Sequence, residues 1–151
     1  MIPKPPEDRL VLVLDTNVCL DLFVFHDPRW TALLTAIQEK RVRAITKASC
    51  RDEWLAVLHY KQLPINDKTR PMFAAAFDQW IECVAPEARS LVALPLCTDP
   101  DDQQFMELAR DSGATYLITK DKALLKCAKR IAKLKLFNIL TPEDFLKKVR
   151  V

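Results

Sequence analysis

Two hydrophobic patterns alternate along this 151-residue chain: short apolar runs, and longer stretches where apolar residues recur at helical spacing. The runs are LVLVL at 10–14, VRAI at 42–45, TYLI at 115–118 and LFNIL at 136–140. An apolar run without alternation suits a strand buried on both faces, as in the middle of a parallel sheet. The periodic stretches predict helices over about 17–25, 30–40, 50–61, 67–81, 101–112 and 121–130. A loop is expected at 86–100, and the only glycine, Gly113, stops the helix before it. Thr141-Pro142-Glu143-Asp144 opens a last helix, with Thr as cap, Pro at the first helical position and Asp144 completing a capping-box-like pattern. Strands alternating with helices predict a three-layer α/β domain with a mainly parallel sheet. The Pro-rich residues 1–9 read as a flexible leader, and residues 10–151 as one domain with one core.

Composition narrows the class. Hydrophobic residues make up 50% and charged residues 28%, which suits a globular fold. No apolar run reaches the length of a membrane span, and VLVL is stopped by Asp15, so neither a transmembrane helix nor a secretory signal is expected. The five cysteines are scattered without a CxxC pair, a pattern of reduced thiols that points to the cytoplasm. With only two histidines, any metal should be a hard cation held by oxygen. The net charge of +3 is uneven: ten Lys or Arg against three Asp or Glu from Lys120 onward, thirteen against seventeen before it. Such a division suits a phosphate-rich polymer, and equally a solvated Lys-rich helix.

Four acids fall where chemistry is expected. Asp15 directly follows the first strand and Asp121 follows TYLITK, so both stand near the carboxyl edge of the sheet, where α/β proteins bind ligands. Either could equally be a helix cap. Glu53 borders the apolar stripe of its helix, at spacings of three, four and seven from Ala56, Val57 and Tyr60, and could also be a solvated glutamate. In TDPDDQQF, Asp99 resembles a cap, whereas Asp102 aligns with the inward face of Phe105, Met106 and Ala109. Asp102 is therefore the preferred ligand, with Asp101 as auxiliary. Converging carboxylates repel, so a shared site implies a divalent cation. Thr16 and Asn17 are placed to orient the Asp15 carboxylate through hydrogen bonds, and Thr119 adds a hydroxyl beside Asp121. Lys120 stands beside Asp121, and Lys122, Lys126, Lys129 and Lys133 recur at helical spacing as a candidate phosphate-binding stripe, or a solvated one. The three tryptophans read as core.

Together, DTN after the first strand, the glutamate of the 50–61 helix, DPDDQQFMELA and YLITKD resemble the PIN-domain family, in order and spacing from about Leu10 to Val149. The likeness is to small bacterial PIN proteins that act as toxin components of toxin–antitoxin systems. The resemblance implies an α/β/α sandwich and a metal-dependent ribonuclease using Mg²⁺ or Mn²⁺. Asp15, Glu53, Asp102 and Asp121 then match the acidic quartet, and Thr119 matches the hydroxyl residue two positions before the last acid. RNA as substrate, a cognate antitoxin and a homodimer are expectations of the resemblance alone.

Two other functions compete. A PIN-fold module that binds nucleic acid or protein without cutting would keep the same acids. A haloacid-dehalogenase-like phosphatase would need a second aspartate two residues after Asp15, where Asn17 stands, and a phosphoacceptor receiver would need an early acidic pair that is missing.

Overall fold

The computed structural model describes residues 9–86 and 92–151. Five strands form one all-parallel sheet: β1 (Leu10–Leu14), β2 (Val42–Thr46), β3 (Glu82–Cys83), β4 (Tyr116–Ile118) and β5 (Asn138–Leu140), in the order β3-β2-β1-β4-β5. β1 is central: Leu12 pairs with Ala44 on one side and with Tyr116 on the other. Between the strands lie α1 (Thr16–Phe23), α2 (Thr31–Gln38), α3 (Ala48–Val57), α4 (Arg70–Trp80), α5 (Gln103–Ser112), α6 (Lys122–Leu125) and α7 (Ala128–Leu134). α8 (Pro142–Lys148) follows β5.

The unbroken LVLVL run now has its reason. Leu12 and Leu14 enter one core with Val18 and Leu22 of α1, Leu33 of α2, Trp54 of α3, Phe77 of α4 and Phe145 of α8. Val13 enters a second core, with Phe105 and Leu108 of α5, Leu124 of α6 and Ile131 of α7. A strand that serves two cores has no solvent face on which to place polar residues. The result is the expected α/β/α sandwich. No helix among the described residues is long and apolar enough to cross a membrane.

Trp54 anchors α3, stacking on Phe77 at 5.2 Å and meeting Phe23 edge-on at 6.3 Å. Trp54 and Trp30 are buried and Trp80 packs against the first core, consistent with the core reading of all three. At the end of α5, Gly113 takes φ +68, the left-handed conformation that closes helices most cheaply without a Cβ. Thr141 caps α8 as expected, accepting from the Asp144 N–H at 3.0 Å.

Three expectations need correction. The sequence pattern predicts no strand at β3: it is two residues long and exposed on both, too short to leave a hydrophobic pattern. The Lys-rich helix at 121–130 is two helices, broken at Lys126-Cys127, so Lys122, Lys126, Lys129 and Lys133 do not share one continuous helical face. The 50–61 helix ends at Val57, leaving His59 and Tyr60 in the turns that follow. Residues 1–8 of the expected leader lie outside the described residues. Arg9 is described, and its guanidinium donates to the Lys40 carbonyl at 3.3 Å.

Candidate metal centre at the carboxyl edge of the sheet

The strand order reverses between β1 and β4: from β1 the chain builds outward through β2 to β3, then returns to the other side of β1. Connections diverge at such a switch point and leave a crevice beyond the strand ends. Asp15 and Asp121 flank it. The Asp15 N–H still donates to the Ile118 carbonyl at 3.0 Å, so Asp15 leaves the sheet at a fixed height beside the end of β4.

Asp15 is both a cap and a buried site acid. One carboxylate oxygen accepts from the Thr16 N–H at 2.7 Å as α1 begins. The other accepts from the Thr119 hydroxyl at 2.6 Å. That hydroxyl oxygen also accepts from the Asp121 N–H at 2.9 Å, so Thr119 links the two strand-end acids. Asp121 caps α6, accepting from the Ala123 N–H at 2.7 Å. Capping and site-building are thus compatible: each cap bond occupies one carboxylate oxygen and fixes the direction of the second.

Asp102 arrives from the other layer, at the end of a 3₁₀ turn over Pro100–Asp102 that leads into α5. It is buried, and its Oδ2 has no hydrogen-bond partner. Asp99 caps that turn, accepting from the Asp101 N–H at 3.0 Å. Oxygens of Asp99, Asp102 and Asp121 lie within 4.8 Å of one another. Glu53 enters from α3 and accepts a hydrogen bond from the Thr16 hydroxyl. Asp15, Glu53, Asp102 and Asp121 line one open cavity of about 220 Å³, together with Thr16 and Asn17. Asn17 also has a buried Oδ1 without a partner.

The electrostatics are those of crowded acids lacking counter-charge. Burial pushes the Asp15 carboxyl from the ordinary 3.8 up to about 6. Its bonds from Thr119 and Thr16 oppose the rise, and the charges of Glu53 and Asp121 add to it. Asp102 is raised further, to about 8, by burial first and then by Asp15, Asp121 and Asp99. Glu53 is raised by burial, opposed by the Thr16 hydroxyl. No lysine or arginine is among the residues described as lining the cavity. Lys120 instead pairs with Asp21 of α1 at 2.5 Å, and the Trp30 indole donates to the same carboxylate at 3.1 Å. An all-oxygen donor set and an orphaned buried oxygen on Asp102 fit a hard divalent cation.

The structure brings all four candidate acids to one cleft, with Thr119 bonded to Asp15. Thr16 bonds the Asp15 carboxylate through its N–H and Glu53 through its hydroxyl, whereas the buried Oδ1 of Asn17 has no partner. Asp101 is exposed, and the tight trio contains Asp99 in its place. Asp99 was legible only as a cap, because a cap and a ligand give the same DP signature. Lys122 and Lys126 are exposed and do not line the cleft.

An acid-lined crevice at the switch point of an all-parallel sheet defines an α/β domain whose clustered acids could hold a metal ion. More narrowly, the chain belongs to the PIN-domain family, which it matches over residues 11–123. PIN domains are generally nucleases that bind nucleic acid and use divalent metals. No curated protein matches the chain.

Proposed function

We propose that this protein is a divalent-metal-dependent endoribonuclease acting through Asp15, Glu53, Asp102 and Asp121. The observation that carries the reading is the convergence of these four carboxylates, from β1, α3, the α5 entry and β4, on one cleft that no Lys or Arg among the described residues lines. Mg²⁺ or Mn²⁺ held by Asp15 and Asp102, with Asp121, Glu53 and Asp99 completing the site, would supply positive charge to offset the acids and stabilise charge developing on a phosphodiester. The protein's own part is positioning. Thr119 holds Asp15, Thr16 holds Glu53, and the α6 cap holds Asp121, so the acids are set before substrate arrives. Glu53, aimed by the Thr16 hydroxyl and raised by burial above an ordinary glutamate, is a candidate acceptor for a proton from the attacking water, as is Asp121. A toxin role in the cytoplasm, with a cognate antitoxin and a homodimeric state, is part of the same reading, supported by the likeness to small bacterial PIN proteins.

The test is calorimetric titration of Mn²⁺ into metal-free wild type and Asp102→Asn, followed by cleavage of single-stranded RNA. Saturable binding by wild type, lost in the folded variant and matched by loss of cleavage, is expected. Equal binding by both proteins would remove Asp102 from the site. Metal binding without cleavage of any RNA would leave a silent binding module.

A further inference from the structure

The cleft has an apolar lining that the acidic chemistry does not use. Besides the carboxylates it is lined by Leu20 of α1, Val57 at the end of α3, and Tyr60 and Leu63 in the segment beyond. Tyr60 is 53% exposed, so its ring is open to a ligand entering the cleft. Its backbone is nevertheless tied down. The Tyr60 N–H donates to the Val57 carbonyl at 2.9 Å, and the Leu63 N–H donates to the Tyr60 carbonyl at 3.2 Å. Arg70 of α4 donates to the Leu58 carbonyl at 3.1 Å, holding the same turn against the next helix. An exposed ring on an anchored turn is a preorganised surface.

A nucleotide combines the same two characters as the lining of this cleft: a charged phosphate, which a metal on the acids would hold, and a flat apolar base. We infer that Tyr60, backed by Leu63, Val57 and Leu20, is the platform on which a base of single-stranded RNA stacks while the adjoining phosphate lies at the acids. This rests on the nuclease reading and assigns to it the residue that holds the base. In a duplex the base faces are covered by their neighbours, so only an unpaired strand can offer one to the ring. Stacking tolerates any base, so the platform selects strandedness and not sequence.

The experiment compares wild type, Tyr60→Phe and Tyr60→Leu in Mn²⁺ on a single-stranded RNA and on the same sequence as a duplex, with KM and kcat read separately. Mn²⁺ titration of each metal-free protein shows whether the acidic centre is intact. Tyr60→Phe should match wild type. Tyr60→Leu should raise KM for the single strand about 5- to 150-fold with kcat and Mn²⁺ binding little changed. The duplex should be a poor substrate for all three. Wild-type cleavage with an unchanged KM in Tyr60→Leu, or a duplex cut as readily as a single strand, overturns the platform while leaving the nuclease intact. The first of those results would leave the apolar lining to a protein segment. If wild type binds Mn²⁺ but cuts no RNA, the nuclease reading fails and the platform fails with it.

Discussion

Replacing Asp15 by Asn should make the metal-free protein more stable, although Asp15 caps a helix and sits at the centre of the fold. An asparagine keeps one oxygen to accept from the Thr16 N–H. Its amide can donate to the Thr119 oxygen, which now donates to Asp15 and already accepts from the Asp121 N–H. The charge is what changes. Holding the Asp15 carboxyl at about 6 instead of 3.8 means that burial and neighbouring acids outweigh both hydrogen bonds. At about 1.4 kcal/mol per pH unit, the ionised form costs the fold about 3 kcal/mol. The sign follows from linkage. A folded-state value raised above the unfolded one gives stability that is present below pH 3.8 and lost as pH rises through about 6. The advantage of Asp15→Asn over wild type should therefore be near zero at pH 4, grow to pH 6, and persist above it. For a chain of this size that is about 6–12 °C in melting temperature.

The assay is thermal unfolding of both proteins in chelator from pH 4 to 8, repeated at pH 8 with Mn²⁺. A metal present at a hundred times its dissociation constant adds about 2.7 kcal/mol. It should thus erase most of the difference by stabilising wild type alone. Equal or lower stability of Asp15→Asn at pH 8 in chelator would refute the electrostatic argument. A Mn²⁺ shift retained by the variant would refute the ligand assignment.

Metal affinity should climb with pH, because protons on Asp15 and Asp102 compete for the same oxygens. Between pH 6 and 8, Mn²⁺ titrations should show up to about tenfold tighter binding per pH unit for each proton displaced, and a flat profile would mean that neither group is a ligand. Gly113→Ala should destabilise by about 1–2 kcal/mol in chemical denaturation, purely from its φ of +68, since a Cβ there would meet nothing within 4 Å. Wild-type stability in that variant would mean the helix end relaxes without loss.

The central strands were legible because a strand shared by two cores must be apolar throughout, and β1 carries the signal most plainly. β3 was not legible: Glu82 and Cys83 are both exposed, so its place in the sheet comes from pairing with Ile45 and Thr46 and not from any pattern of its own. The broken Lys-rich helix was hidden for a related reason. Lys122 to Lys133 keeps helical spacing across a break at Lys126-Cys127, and periodicity registers spacing, not continuity. Of the site, Asp15 and Asp121 could be placed by their strands and Asp102 by its inward phase. The bond from Thr16 to Glu53 joins residues 37 apart, and no local pattern foretells it.

The same bonds explain how a fold tolerates such a site. Four acids converging without a lining cation oppose folding, yet three of the bonds that aim them also organise the chain. The Thr16 N–H starts α1, the Ala123 N–H starts α6, and Thr119 bridges the ends of β1 and β4. Because aiming the acids and building the helix ends are one set of contacts, the site cannot relax by turning its carboxylates outward without loosening α1 and α6. Burial and, after it, the repulsion are instead taken up in protonation, which is why Asp15 and Asp102 carry raised values. A centre held in that condition is poised for a cation. Its affinity for metal and its cost to the empty fold have one origin, so a substitution that relieves the second should weaken the first.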